Sequence, residues 1–579
     1  MGATPMTDAE PVPPQSARGM VRGAFPPLAW LRGYSLPSLK GDLVAGVTLA
    51  AYALPVALAY ATLAGLPPQV GVYGYMLGGI GYALLGSSRH LAIGPTSAIS
   101  LMLATNVGVM AGGDAARYAA VASLAAFAVA LLCVLSWALR LSVLTKLISD
   151  SILTGFKAGA GITIAVTQLP ALFGVAGGGQ NGIERLVVLA GQMPGLSGLT
   201  LVVGLVALVL LVAGGRHLPG RPVALGVVAL AILVAATFGL AGHGVRVTGE
   251  IPAGLPQIAL PVLRLSDVEG IFPLAAGILL LAYIEGVSAA RGFAEKHGYT
   301  LNPRQEFLGI GAANLMAGLG QGYPVAGGLS QSAVAETAGS RTPLTLVLAS
   351  VTLGLCLLFL TGPLADLPKA VLAAVVLTAV AGLIDVPALV RLWRVSRPDF
   401  AAAAVALAGV LLLGILQGIL LAALVSVLIL LVQASRPHVA FLGRVPGTTR
   451  YGDIARHPEN KPIPGVIAFR PEGSLLYVNA GGVLEVVLAR VAAQPPGNVR
   501  RVICDLSAAP HLDLAAVGML RKVHAAVERQ GASLSVTGAH GRVRDLLRRE
   551  GFAGLVGDVG RGSTLEAVLQ THEPNVGEA

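Results

Sequence analysis

The sequence predicts an all-α polytopic membrane protein, fourteen transmembrane segments in two inverted halves of seven, followed by a small α/β domain. Three observations carry this. Of 579 residues, 55% are hydrophobic and 12% charged, and the mean hydropathy is +0.76, which no soluble domain matches. Apolar runs near bilayer length recur down to residue 434. Two of those runs are broken by Gly and Pro at matching places in the two halves.

In order, residues 1–40 carry Asp8, Glu10 and many prolines without an apolar h-region, so they read as a cytoplasmic tail and not a cleavable signal. The transmembrane domain is expected over 41–435. Its apolar segments fall at 42–63, 68–86, 95–111, 117–138, 148–172, 197–214, 221–240, 271–293, 305–319, 328–339, 343–361, 367–384, 398–416 and 418–434. Fourteen divides into seven plus seven, and an odd repeat number inverts the second copy in the membrane. With the N-terminus inside, Arg89, Arg140, Lys146, Arg216, Arg221, Arg291, Lys296, Arg304, Arg341, Arg391, Arg394 and Arg397 are cytoplasmic. Only Arg117, Arg185, Arg246, Arg264 and Lys369 then lie outside, as the positive-inside bias requires, and both chain ends are cytoplasmic. This loop bias explains the net charge of +10 without any nucleic-acid partner.

The third and tenth segments are predicted half-helices. His90-Leu-Ala-Ile-Gly-Pro-Thr-Ser-Ala-Ile-Ser100 runs from an extended stretch through glycine into a short helix, with Pro95 suited to the first turn. Gln321-Gly-Tyr-Pro-Val-Ala-Gly-Gly-Leu-Ser-Gln-Ser-Ala-Val-Ala-Glu-Thr-Ala-Gly339 does the same. Pro324 biases its neighbour to extended backbone, and Leu329 to Ala338 reads as helix. Irregular backbone at membrane depth is tolerated only where protein or a water-filled cavity covers it. Each half-helix presents free N–H groups and a positive dipole end, a candidate anion site, and the two N-termini are expected to face each other near the midplane.

Other residues qualify individually. Glu285 is a carboxylate inside an apolar segment, the usual place of a proton or cation site, or else a structural acid bonded to backbone. Thr96 and Ser97 open the first half-helix, where capping and anion contact both fit; Ser100 has back-bonding to a carbonyl as its alternative. Tyr52 and Tyr60 stand two helical turns apart on one face, for the site or for aromatic packing. Lys157 is expected to snorkel, pair with an acid or contact substrate, and Glu336 to pack or gate. Cys133, Cys356 and Cys504 are far apart and form no disulfide or zinc pattern. No nucleophile–base constellation, metal-ligand cluster or phosphate loop appears, so neither an enzyme nor a cofactor is expected.

From Ala434 the character changes. Residues 436–461 are polar and turn-rich, a predicted linker, and the soluble domain spans 462–572 before a short tail at 573–579. Val466 to Asn479 reads as two strands, Leu484 to Ala493 as helix, Arg501 to Leu506 as strand, Ala515 to Gln530 as helix, Ser533 to Thr537 as strand and Val543 to Arg549 as helix.

These motifs resemble a known family. Pro55-Val-Ala-Leu-Ala-Tyr-Ala-Thr-Leu-Ala-Gly-Leu-Pro-Pro-Gln-Val-Gly-Val-Tyr73 is similar to the signature of the sulfate permease (SulP) family, which includes prestin and pendrin. Phe293-Ala-Glu-Lys-His-Gly-Tyr299 with Asn302-Pro-Arg-Gln-Glu306 resembles the family's link after helix eight, and Ala338-Gly-Ser-Arg-Thr-Pro-Leu344 its link after helix ten. The C-terminal domain resembles a STAS domain, and the resemblance covers residues 30–572. It implies the uracil-permease-like fold, with a core domain (helices 1–4 and 8–11) moving against a gate domain (5–7 and 12–14), in a homodimer of the inner membrane.

It also implies a secondary active anion transporter for sulfate, bicarbonate or dicarboxylate, coupled to H⁺ or Na⁺ by symport, with an exchanger or channel as the alternative. A scaffold acting through its STAS domain and a cytoplasmic partner is a further class. Expected substrate contacts are Tyr52, Tyr60, Thr96, Ser97, Gly327, Gly328, Leu329, Ser330 and Gln331; Glu285 with Ser288 is the expected cation-coupling site. Many family members have Ser-Arg-Ser where this chain has Ser330-Gln331-Ser332, so it carries less fixed charge there. Sodium-using members often place a hydroxyl residue one turn after the acid; here that place is Ala289, with Ser288 adjacent, which favours protons over Na⁺ at Glu285. In the soluble domain Leu514 stands where a phosphorylatable hydroxyl would be.

Overall fold

The computed structural model describes residues 34–570 apart from 142–148, 180–181, 219–221, 262–263, 265–266, 496, 557–559 and 561–562. Most of the expected N-terminal tail, the whole C-terminal tail, Lys146 and Arg221 lie outside the described residues. The chain forms two compact units divided between Ser426 and Val427.

Each of the fourteen apolar stretches carries a helix. The first half holds α1 (Leu36–Leu63), α2 (Pro68–Leu85), strand β1 (Ile93–Gly94), α3 (Ser97–Ala111), α4 (Ala115–Ala138), α5 (Asp150–Phe173), α6 (Gly182–Gln192), α7 (Gly198–His217) and α8 (Val223–Phe238). The second holds α9 (Val268–His297), α10 (Pro303–Leu319), strand β2 (Ala326–Gly327), α11 (Leu329–Thr337), α12 (Leu344–Phe359), α13 (Lys369–Ala381), α14 (Val386–Val395), α15 (Arg397–Leu413) and α16 (Ile415–Ser435). The sequence reading missed α6 and α14. Both are short and amphipathic, GIERLVVLAGQ and VPALVRLWRV, which suits a helix lying in the membrane interface better than one crossing it.

Two packed groups emerge. α10 lies against α2 and α4, and α1 against α2 and α12; separately, α5 lies against α13 and α15, and α13 against α7. Glycine permits the closest crossings: a Cβ on Gly81 would stand 2.4 Å from the Ala312 carbonyl oxygen, and one on Gly155 1.9 Å from that of Ala403. The most apolar window of α1 is 67% buried and that of α7 only 22%, so α1 is central and α7 turns its sides to lipid. Cys133 is buried and Cys356 half-buried, both free.

The links that carried the family resemblance are latches. Asn302 caps α10 by accepting from the Arg304 and Gln305 amides, with Pro303 as first residue. The buried Glu306 carboxylate accepts from the Tyr82 hydroxyl (2.7 Å), the Ser87 amide (2.9 Å) and the Ser87 hydroxyl (2.6 Å). Asp42 does the same for the link after α11, accepting from the amides of Arg341 (2.7 Å) and Thr342 (3.0 Å) and from the hydroxyls of Thr342 and Thr345.

The second unit is built on a five-stranded sheet of order β4-β3-β5-β6-β7, formed by β3 (Val439–Arg444), β4 (Tyr451–Asp453), β5 (Val466–Pro471), β6 (Arg501–Asp505) and β7 (Ser533–Thr537). β5, β6 and β7 run parallel, and β3 joins antiparallel to both β4 and β5. Helices α17 (Ala480–Ala492), α18 (Leu514–Glu528), α19 (Gly541–Arg549) and α20 (Leu565–Gln570), with a single helical turn at Ala553–Val556, accompany it. Two expectations fail here. Residues 436–461 are not only turns, because β3 and β4 lie in the sheet. The second strand expected before Asn479 is a single bridge, Leu475 with Leu512, because Gly473 (φ +156°) turns the chain away. Asp513 caps α18 by accepting from the Ala516 amide, and Leu514 follows it exposed.

Candidate functional site

The two interrupted stretches meet. β1 pairs antiparallel with β2, Ile93 opposite Gly327 and Gly94 opposite Ala326. This buried crossing must satisfy its own backbone groups. Asn314 of α10 does so for Val325, donating to its carbonyl (3.0 Å) and accepting from its amide (3.0 Å). The Ser332 hydroxyl accepts from the Ala92 amide (2.8 Å) and donates to the Gly328 carbonyl (2.7 Å). The Gln331 amide donates to the Ala92 (3.1 Å) and Ala326 (3.4 Å) carbonyls. The Gly328 amide completes the set by donating to Ala92 (3.2 Å).

Beside the crossing lies a cavity of about 300 Å³. Into it open the first residues of both half-helices, Thr96 and Ser97 of the first and Gly328 to Gln331 of the second. The eleven residues expected as substrate contacts or as the cation-coupling site all line it: Tyr52, Tyr60, Thr96, Ser97, Gly327, Gly328, Leu329, Ser330, Gln331, Glu285 and Ser288. Leu329 is 65% exposed, so the second half-helix begins at the open side. Tyr52 and Tyr60 reach the cavity from one face of α1.

Several alternatives are resolved. Glu285 is not bonded to backbone; among the described residues it makes no hydrogen bond or ion pair, and its carboxyl feels the charge of Lys157. Lys157 lines the cavity with Phe156. Nothing in a helix pattern says which face meets a half-helix on a distant segment, so this placement was not legible in the sequence. Gln331 packs against backbone carbonyls while its residue still lines the cavity. Ser100 bonds the Tyr323 hydroxyl (3.0 Å) and not a carbonyl of its own helix. Glu336 stands apart, paired with Lys296 (2.7 Å) and His297 (2.9 Å). The Thr96 hydroxyl is buried and has no hydrogen-bond partner among the described residues, although Thr96 is the N-cap of α3. A Cβ on Gly328 would meet the Gln331 side chain at 2.7 Å, and one on Gly327 would meet Leu91 at 2.8 Å and the Gly286 Cα at 3.0 Å. Close backbone approach is therefore fixed most firmly at Gly327, where the crossing touches α9, rather than at Gly328.

Two half-helix starts around one cavity, on this order of helices, decide the comparison. The sulfate permease family profile matches residues 39–406 and the STAS domain profile residues 457–571. The chain belongs to the sulfate permease family. A probable sulfate transporter of Mycobacterium tuberculosis is 34% identical over 548 residues, 95% of this chain and 98% of its own length. The chloroplastic sulfate transporter 4.1 of Arabidopsis thaliana is 31% identical over 554 residues, 92% of this chain and 80% of its own. Among solved structures, murine solute carrier 26 family member A9 in its inward-facing state superposes with a TM-score of 0.87 at 21% identity, covering 97% of this chain and 96% of that one. The transmembrane domain of the cyanobacterial bicarbonate transporter BicA superposes with a TM-score of 0.58 at 24% identity, over 68% of this chain and 98% of its own. The fold is thus a multi-pass helical membrane domain with a STAS domain, and the relatives are transporters.

Proposed function

We propose that this protein is a cation-coupled secondary active transporter of a small oxyanion, with sulfate as the first substrate to test. The observation that carries the reading is the convergence of both half-helix N-termini, Glu285 and Lys157 on one cavity. The anion sits between the two positive dipole ends, in contact with Thr96, Ser97 and the backbone at Gly327 to Ser330, with Tyr52 and Tyr60 closing the apolar side. Lys157, on α5 of the gate half, supplies the charge that position 331 lacks. α5 and the half-helices belong to different packed groups, so relative motion of the groups changes how close that charge stands, as alternating access requires. The sulfate transporter names of the relatives support sulfate. The same reading places a homodimer in the inner membrane with both chain ends cytoplasmic and the STAS domain open to a cytoplasmic partner.

Coupling follows from charge. Without anion, Lys157 and Glu285 offset one another. An anion that engages Lys157 leaves Glu285 uncompensated. Two unit charges ~6 Å apart at an effective dielectric of ~20 repel by about 3 kcal/mol, two decades in affinity. A proton or Na⁺ at Glu285 removes that repulsion, so anion and cation each favour the other by the same free energy.

The test is Glu285→Gln in proteoliposomes. The variant keeps anion binding and exchange and loses accumulation driven by a proton gradient. A variant that still concentrates anion against its gradient removes Glu285 from the coupling. Unitary currents in the wild type would instead identify a channel, and gradient-independent counterflow an exchanger. Gln331→Arg builds in a fixed charge and is expected to make anion affinity several-fold less dependent on the coupling cation; equal dependence in variant and wild type counts against a site at this half-helix.

A further inference from the structure

A second cavity of about 300 Å³, sharing no lining residue with the first, lies where the C-terminal end of α5 meets the N-terminal ends of α7 and α13. Three cations line it: Arg185 of α6, Arg246 from the stretch before α9, and Lys369, the first residue of α13. Among the described residues no carboxylate lines it, and none of the three cations forms an ion pair.

The fold holds these charges together. Val247 bridges Pro368 antiparallel, and the Lys369 amide donates to the Arg246 carbonyl (2.9 Å), so the two residues stand side by side. Arg246 and Arg185 are turned inward by donating to carbonyls of the glycine-rich turn after α5, Arg246 to Val175 (3.4 Å) and Arg185 Nε to Gly179 (3.0 Å). That turn is itself clamped, because Gln192 accepts from the Gly177 amide (2.8 Å) and donates to its carbonyl (3.1 Å). Gly179, at φ +96°, leaves no room for a side chain: a Cβ there would stand 2.7 Å from the Arg185 amide. Burial holds the Arg185 guanidinium below its usual range despite Glu184 nearby. The first turn of α13 adds its dipole end.

Membrane proteins keep basic residues out of outer loops. Five basic residues read as outer on sequence. Arg117 pairs with Asp267, and the Arg264 amide donates to the same carboxylate (3.1 Å). The other three are those of this cavity. Clustering like charges without an acid is unfavourable unless a negative guest offsets them.

We propose that this cavity is a second anion site, on the gate half, recognising a sulfate-like oxyanion group, whether free in solution or as the phosphate of an acidic lipid headgroup. It is separate from the cavity between the half-helices and does not rest on transport through it.

The test is equilibrium binding of radiolabelled sulfate to the full-length chain in phosphatidylcholine nanodiscs. Wild type is expected to show a class of sites that Arg246→Gln/Lys369→Gln weakens by about ten-fold per cation removed. Arg246→Lys/Lys369→Arg retains it, and so does Lys157→Gln, whose change lies in the other cavity. Thermal unfolding of each variant shows that it is folded, and Lys369→Gln alone serves if the double variant is not. Loss of that class in phosphatidylglycerol nanodiscs, with the lipid retained by wild type and released by the double variant, identifies the lipid phosphate as occupant and supports the site. Identical sulfate binding by wild type and double variant in phosphatidylcholine, with no difference in phosphatidylglycerol retention, overturns it.

Discussion

The two half-helices occupy matching places in the two halves, each led by one strand of the same crossing, yet their polar side chains do different things. On α11, Gln331 and Ser332 turn back to the crossing and satisfy Ala92, Ala326 and Gly328. On α3, Ser100 reaches across to Tyr323, while the Thr96 hydroxyl at the cavity stays unpaired. The side chains of the second half-helix therefore hold the crossing together, while the first leaves a buried hydroxyl unpaired among the described residues; on the proposed reading that hydroxyl meets the anion. Neither brings a charged side chain to the cavity, and the cation facing them belongs to α5. Pseudo-symmetry supplies two dipole ends; the asymmetry divides the work between them.

The largest expected effect tests whether the charge truly comes from outside the pair. Lys157→Gln removes the positive group of the cavity, and with ~6 Å and an effective dielectric of ~20 it should weaken anion binding by roughly two decades. Titration of sulfate onto the purified variant measures this. Affinity within a factor of a few of wild type would mean the half-helices suffice alone.

Next in size is Ser332→Ala, which attacks the structural partner. The Ala92 amide loses its acceptor inside the protein, at a cost of about 1–3 kcal/mol. A fall of the melting temperature is expected, with anion affinity of the folded protein changed much less. The opposite pattern, intact stability with lost binding, would reverse the roles assigned to the two helices.

How much of this could be read from the sequence differs by region for physical reasons. The fourteen helices follow from apolar runs, because lipid demands them. The half-helices show themselves because Pro95, Pro324, Gly327 and Gly328 interrupt such runs; the residues picked at the two helix starts line the cavity, while Ser100 and Glu336, further along, do not. The pairing of β1 with β2 is two residues long and spans more than 230 positions, with no periodicity to betray it. That Lys157 shares a cavity with the half-helices was not legible, because this depends on a neighbour from another helix group. In the second unit, β3 and β4 were hidden by the turn residues around them, and β4, at the sheet edge, is only three residues long.

The smallest expected effect is the most discriminating. Thr96 is the N-cap of α3, but its side chain makes no cap hydrogen bond, and its hydroxyl is buried without a partner. A desolvated hydroxyl left so is unfavourable by about 1 kcal/mol or more in the empty protein. Valine has the same shape without that group. Thr96→Val should therefore leave the melting temperature of the anion-free protein equal or slightly higher, where loss of a working cap would lower it. If the hydroxyl donates to the bound anion, the variant loses about 1 kcal/mol of binding, up to ten-fold in affinity, and the stabilisation produced by saturating sulfate shrinks in step. Thr96→Ser restores the hydroxyl and should restore both. Ser332→Ala gives the reverse signature, so the two variants together form a cross-check: one should change binding without stability, the other stability more than binding. A Thr96→Val protein that binds sulfate as tightly as wild type would leave the hydroxyl without a guest and end the claim that the first half-helix is the contacting one.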